Sequence, residues 1–153
     1  MSIDIRKAKL TDRSAWQKLW NQYLIFYKSE DFKDELTELL WQRIHTLENP
    51  INCLVAQNTE SGELLGFTHY FPHSDTWQKH PVCYLEDLFV LAEARGIGLG
   101  ELLIKSVVKE AKINGWQDVY WQTQHDNVVA RGLYNKLTGG TDGYVTYRLP
   151  SKD

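Results

Sequence analysis

Between residues 95 and 100 the chain reads Arg-Gly-Ile-Gly-Leu-Gly. The three glycines at alternate positions, Gly96, Gly98 and Gly100, leave backbone N–H groups unshielded by side chains. The apolar periodicity that follows predicts a helix over 98–113, so these N–H groups sit at a helix start. Such an end carries partial positive charge and free donors, and the chemistry this suits is the binding of a phosphate or pyrophosphate. Arg95 adds a fork of donors matched to phosphate oxygens. Two further groupings bear on chemistry. Trp16, Trp20, Tyr23 and Tyr27 recur at spacings of four, three and four, one face of an amphipathic helix. Glu30, Asp31, Asp34, Glu35 and Glu38 form an acidic patch around a second helix.

Three phosphate chemistries compete for the glycine turn. A nucleotide-triphosphate loop ends in Gly-Lys-Ser/Thr, but Gly100 is followed by Glu101. A dinucleotide fingerprint has a third glycine where this chain has Leu103, and its acidic residue closes the next strand, whereas Asp118 opens one. A bare strand-to-helix turn holding no ligand is the third reading.

The elements that position this turn follow from periodicity. Residues 3–9 read as a first strand, and Thr11-Asp12 supplies helix N-cap chemistry before the aromatic stripe. The second helix is expected to bury Leu36, Leu39, Leu40 and Ile44 and to end before Pro50. Residues 51–57 and 64–71 read as strands joined in a hairpin through the turn-rich segment 58–63. Residues 72–81, with two prolines and two histidines, read as a loop, and 82–90 as a fourth strand. The helix after the glycine turn is expected to bury Leu102, Leu103, Ile104, Val107, Val108 and Ala111 and to stop at Asn114-Gly115. A strand over 117–124, a helix over 127–137 closed by Gly139-Gly140, and a last strand over 143–149 complete the pattern. This order predicts a mixed α/β sheet with helices on its faces, in one domain spanning 1–153.

Composition limits the partners. Of 153 residues, 42% are apolar and 24% charged, enough to build a core. The net charge of -3 argues against a nucleic-acid binder, which needs a basic face. No apolar run is long enough to span a membrane, and the N-terminal segment lacks the apolar stretch of a signal peptide, so a cytoplasmic location is expected. Cys53 and Cys83 show no metal-like spacing and read as small core residues of strands; no metal is expected.

Three ordered motifs carry a family resemblance. Arg95, Gly98 and Gly100 match the Arg/Gln-x-x-Gly-x-Gly/Ala signature that binds acetyl-CoA in the GNAT acetyltransferase superfamily. Tyr84-Leu85-Glu86-Asp87-Leu88-Phe89-Val90 is similar to the fourth strand of spermidine/spermine and thialysine acetyltransferases. Asn127, Ala130, Arg131, Leu133, Tyr134 and Leu137 resemble that family's N-x-x-A-x-x-L-Y-x-x-L helix. The resemblance is dense over 82–137 and weak in the N-terminal part. After the Tyr134 helix the usual Gly-Phe is missing, and the connection from Thr138 to Gly143 is short.

The resemblance implies the GNAT fold, a mixed, mostly antiparallel sheet flanked by helices, and acetyl-CoA as co-substrate. It implies that Leu88, Phe89 and Val90 pair with the pantetheine arm where a bulge splays the fourth and fifth strands. Gly96, Ile97, Gly98, Leu99, Gly100 and Glu101, with Arg95, would hold the pyrophosphate, and Asn127, Ala130 and Tyr134 would contact the cofactor. Tyr120, Trp121 and Gln122 would border the acceptor with Glu86. Tyr27, at the end of the aromatic stripe, is a further acceptor-side candidate, although such a stripe is first of all a core-packing face. An alkylammonium is about a thousandth neutral at pH 7, so a base is needed. Glu86 matches the residue that contacts the amine and is expected to take its proton, through water. Asp87, on the opposite face by strand alternation, is the poorer candidate. Tyr134 matches the acid that protonates the leaving sulfur. The expected reaction is direct acetyl transfer to a small cationic amine: a polyamine, a diamine or an amino-acid-like amine. The acidic patch fits such a cation. Protein lysine, aminoglycoside and non-catalytic acyl-CoA-sensing roles remain alternatives, and relatives of this kind are commonly homodimers.

Overall fold

The structure, a computed structural model, describes residues 1–152. The chain divides into two compact units, Met1–Trp121 and the part from Gln122 onward. The first holds β1 (Ile3–Lys7), α1 (Arg13–Phe26), α2 (Asp34–Ile44), β2 (Asn52–Asn58), β3 (Leu64–His73), β4 (Val82–Val90), α3 (Leu99–Asn114) and β5 (Val119–Tyr120). The second holds α4 (Val128–Thr138). The strands form one sheet in the order β1-β2-β3-β4-β5, antiparallel as far as β4, with β5 parallel to β4. This is the mixed, mostly antiparallel sheet that the family resemblance implies.

Neighbouring residues of β3 show the two covered faces. Phe67 packs against Trp20 of α1, their ring centroids 6.1 Å apart. A Cβ placed on the preceding Gly66 would lie 3.4 Å from Leu103 of α3 and 2.7 Å from the Phe89 carbonyl oxygen. Adjacent strand residues point to opposite faces, so α1 and α3 cover opposite sides of the sheet. Gly66 is what lets β3 and β4 approach there. The α1 face is aromatic: Trp16 and Trp20 stack at 6.0 Å, and Trp16 is fully buried.

Several local expectations need correction. Thr11 and Asp12 lie in a single 3-10 turn, and the Asp12 side chain makes no cap bond to α1. It turns back, accepting from the Lys9 N–H at 2.7 Å and from both Arg6 Nη atoms at 2.8 and 3.0 Å. On α2 the buried residues are Thr37 and Trp41, while Leu36 and Leu39 are exposed. The phase shifts because Thr37 enters the core with its hydroxyl accepting from Trp20 Nε1 at 3.1 Å. On α3, Leu99 joins Leu103, Ile104, Val107 and Ala111 inside, while Leu102 and Val108 face outward. β3 runs on to His73. The strand expected over 117–124 shrinks to two residues, because β4 bulges just beyond its pairing with Tyr120. The strand expected over 143–149 is not formed: its residues pair with no ladder, and Tyr144, Val145, Tyr147 and Leu149 are exposed. Alternation alone does not make a strand without a partner edge.

Candidate active site

After β4 the chain makes one 3-10 turn, Ala92–Ala94, and reaches the glycines. Gly96 and Gly98 have φ of +86° and +84°, and a Cβ on either would meet nothing within 4 Å. That conformation costs an L-residue about 1–2 kcal/mol, so glycine is demanded by the backbone. Gly98 is the N-cap of α3, and no side chain caps this end of the 16-residue helix. The result is an open, unshielded helix start, which suits a phosphate. Gly96, Ile97 and Gly98 are exposed, Gly100 and Glu101 half-buried, and Leu99 plugs into the core. Arg95 lies along the end of β4. Its Nε donates to the Val90 carbonyl at 3.0 Å, and its guanidinium sits 5.8 Å from the Phe26 ring and 5.7 Å from that of Phe89. One of its donors is therefore committed to the fold, and the residue as a whole is exposed.

On its β3 side, β4 is paired along most of its length. On the other side it meets β5 in only two rows, Cys83↔Val119 and Tyr84↔Tyr120. Among the described residues, Leu88, Phe89 and Val90 have no strand partner on that edge. Their backbone there is available to an extended ligand. Leu88 and Val90 are half-buried, and Phe89 is buried against Tyr23 and Phe67.

The irregularity lies at Glu86. His69 pairs with Asp87 and Tyr70 with Leu85, so Glu86 is the extra residue of a bulge. This overturns the argument from alternation. Bulges re-aim side chains, and Glu86, although exposed, is close enough for its charge to act on Tyr23. The residue is exposed as a whole but its carboxyl is partly enclosed by neighbouring atoms, and this desolvation first, then the neighbouring Asp87 charge, pushes it above the ordinary carboxylate range.

Asp87 faces α1. Its Oδ1 accepts from the Tyr23 hydroxyl at 2.6 Å, and its Oδ2 lies 2.9 Å from His69 Nδ1. His69, 1% exposed, has its Nε2 3.1 Å from Trp16 Nε1. The Thr68 hydroxyl donates to the Asp87 carbonyl at 2.8 Å. Burial and Asp87 together push the Tyr23 and Tyr27 phenols upward, so neither is poised as an acid near neutrality. Sequence reading passed over His69, and it placed Asp87 away from the chemistry. The available signal was a histidine inside the largely apolar run LLGFTHYF.

Tyr27 is exposed at the end of α1, in ring contact with Tyr23 at 4.8 Å. The Tyr120 hydroxyl is 2.8 Å from His73 Nε2, its ring lies 5.0 Å from that of Tyr84, and Trp121 is half-buried. In the second unit, Asn127 caps α4, its Oδ1 accepting from the Ala130 N–H at 3.4 Å. Gln122 donates to the Thr146 hydroxyl at 2.8 Å. Ala130 and Tyr134 are half-buried on α4. Cys53 and Cys83 are free and buried; burial pushes both thiols upward, that of Cys83 to about 12, so neither is an activated nucleophile. No cluster among the described residues has the makings of a metal site. No helix of the described chain is long and apolar enough to cross a membrane.

A glycine-lined helix start at the end of a half-paired strand, with carboxylates on the same strand, is an arrangement suited to a phosphorylated carrier. Comparison with known proteins gives the family. The model of the Acetyltransferase (GNAT) family matches residues 14–139. The chain is 34% identical over 140 residues to the D-amino-acid N-acetyltransferase HPA3 of Saccharomyces cerevisiae, covering 92% of this chain and 86% of that one. It is 31% identical over 114 residues to the thialysine N-epsilon-acetyltransferase of Mus musculus, 67% and 66% of the two lengths. Its fold overlays the structure of AAC(6')-Iy in complex with the bisubstrate analogue CoA-S-monomethyl-acetylneamine, with a TM-score of 0.83, 18% identity and full coverage of both chains. The chain belongs to the GNAT acetyltransferase family and is an N-acetyltransferase.

Proposed function

We propose that this protein moves an acetyl group from acetyl-CoA to the primary amine of a small cationic acceptor. The observation that carries the reading is the carboxylate pair at the β4 bulge: Glu86 exposed, with raised proton affinity, beside an anchored Asp87. A base whose proton affinity lies nearer neutrality than that of an ordinary carboxylate is suited to taking a proton from an ammonium.

In this reading the first-turn N–H groups of α3, with Gly96 to Glu101 and Arg95, hold the pyrophosphate of acetyl-CoA. The open edge of Leu88 to Val90 takes the pantetheine arm. Glu86 removes a proton from the acceptor ammonium, directly or through water. The freed amine nitrogen forms a bond to the thioester carbon, and the carbon–sulfur bond breaks. Tyr134 gives its phenolic proton to the departing sulfur, which leaves as the free thiol; the second proton of the acylated nitrogen returns through water to the Tyr134 phenolate, giving the neutral amide, and Glu86 releases its proton to solvent. The Tyr134 role, like cofactor contact by Asn127 and Ala130, is supported by the α4 motif. Tyr27, Tyr120, Trp121 and Gln122 are taken as acceptor-side residues. The raised thiols of Cys53 and Cys83 support direct transfer with no acyl-cysteine intermediate. The acidic patch contributes less to this reading than its sequence suggests. Asp34 and Glu35 sit in the first turn of α2, where the helix end favours them, and Glu38 is held by Arg13 at 2.8 Å.

Within the small amines, relatives named for D-amino acids and for thialysine support an amino-acid-like acceptor alongside polyamines and diamines. A homodimer of single-domain chains in the cytoplasm is the working assembly, which light scattering tests. The deciding assay is thiol release from acetyl-CoA against putrescine, spermidine, thialysine, D-amino acids, an aminoglycoside and a lysine peptide. Turnover of the small amines supports the proposal. Activity on the peptide alone refutes the acceptor class, and thermal stabilisation by acetyl-CoA with no thiol release from any acceptor refutes catalysis.

A further inference from the structure

The buried chain Trp16–His69–Asp87–Tyr23 fixes a protonation pattern. An indole Nε1 only donates, so His69 Nε2, at 3.1 Å from it, must be bare and accept. The ring proton then sits on Nδ1 and is donated to Asp87 Oδ2 at 2.9 Å. Tyr23 donates to the other oxygen at 2.6 Å. Both partners of Asp87 are therefore neutral donors, and among the described residues no lysine or arginine pairs with it. Its side chain is 15% exposed, so water does little to offset this.

We propose that His69 is a positioning residue for acetyl transfer: locked by Trp16 in the tautomer that carries its proton on Nδ1, it holds Asp87 in place without adding positive charge, and so keeps an uncompensated carboxylate beside Glu86. This inference rests on the reading of Glu86 as the base. The retained negative charge strengthens the hold of Glu86 on a proton and draws the acceptor ammonium to the bulge. A charged imidazolium at the same position would weaken both effects, since positive charge at His69 acts on Glu86 in the opposite direction to Asp87.

The groups facing Asp87 are few. From α1 come Tyr23 and Tyr27, whose phenols it helps push upward. From β3 come His69 and the Thr68 hydroxyl. From β2 comes Cys53, paired with His69 in the sheet, its thiol raised mainly by burial. On β4 itself there is Glu86. None of these carries a positive charge in the arrangement described.

The test joins a spectroscopic measurement to pH profiles. In 15N spectra of the intact wild-type protein at pH 7.5, His69 is expected to show a protonated Nδ1 and a bare Nε2. Finding the proton on Nε2, or on both nitrogens, overturns the proposal. In kcat/KM profiles for the amine found active, His69→Leu is expected to move the acid limb to lower pH and to raise the amine KM about tenfold. His69→Asn keeps an amide donor toward Asp87 and is expected to return the limb to its wild-type position at a reduced rate. Should His69→Leu lower kcat/KM equally at every pH, or lose only thermal stability, His69 is a packing residue and the proposal fails. If His69→Leu does not fold, the spectra and the His69→Asn profile decide. Glu86→Gln separates the two readings: an acid limb that survives it refutes Glu86 as the base, and the His69 proposal is then decided by the amine KM.

Discussion

The two ends of α3 allow the functional content of the glycine turn to be separated from its structural content. Gly98 caps the start of the helix at φ +84° and Gly115 caps its end at φ +74°, and a Cβ on either meets nothing within 4 Å. Replacing either with alanine puts an L-residue in the left-handed region, at about 1–2 kcal/mol. Part of this is returned by the stiffer unfolded chain, about 0.4–1 kcal/mol. The net cost is about 0.5–1 kcal/mol, and in a chain of this size Tm falls by about 1–4 °C. Steric terms drop out, because both sites are open. Gly98→Ala and Gly115→Ala should thus be nearly equal in thermal unfolding without ligand. They should differ in calorimetric titration with coenzyme A. At Gly98 a methyl group enters the space where the pyrophosphate is proposed to lie and disturbs the donor array, so affinity is expected to fall about tenfold or more. At Gly115 the affinity is expected to stay at the wild-type value. Equal coenzyme A affinities in the two variants would refute the assignment of the turn as the anion site, whatever their Tm values.

Three further outcomes follow from the geometry. Asp12→Asn removes the charge and one of the two acceptor oxygens that serve the Lys9 N–H and a two-pronged Arg6 contact, and is expected to cost about 2 kcal/mol, or about 4–8 °C in Tm. The Arg6 contact holds the Asp12 carboxyl below the usual range, so its contribution is complete above about pH 4 and fades as pH falls further; acid unfolding of the variant should be correspondingly flatter there. Glu86 has the opposite sign: its raised carboxyl means the folded state binds the proton more tightly, so its ionisation opposes folding at neutral pH. Glu86→Gln is expected to raise Tm at pH 7.5, leave it unchanged near pH 4, and sharply reduce turnover. Gly66→Ala sets a Cβ 2.7 Å from the Phe89 carbonyl oxygen, a backbone atom, so the strands must part, at about 2 kcal/mol measured by denaturant titration.

What the sequence made legible was local. The glycine turn could be read because a positive φ and an uncapped helix start are properties of a few consecutive residues. The sheet as far as β4 followed from strand-length apolar runs and a hairpin signal. The network at Asp87 was illegible because its members are far apart in the chain: Trp16 and His69 are separated by 53 positions, Tyr23 and Asp87 by 64. The phase of α2 was misjudged for a related reason. Counting leucines selects Leu36 and Leu39, but the buried face is chosen by Thr37, whose hydroxyl finds Trp20 from another helix. A polar residue enters a core when a distant donor meets it, and periodicity carries no record of that donor.

The bulge is where this limit bears on function. Regular alternation with Asp87 facing α1 would send Glu86 toward the α3 side, whose wall is Leu103, Ile104 and Val107. A carboxylate pressed there has no partner among those residues, at a cost of several kcal/mol or a lost charge. The inserted residue removes that conflict at the expense of one ladder row. The Thr68 hydroxyl offsets part of the loss by donating to the Asp87 carbonyl at 2.8 Å, a contribution of about 1 kcal/mol. Two consecutive carboxylates can then act on one side of the sheet, one anchored by neutral donors and one exposed to solvent. The irregularity that spoils the parity argument is thus also what makes the acidic pair compatible with a packed sheet.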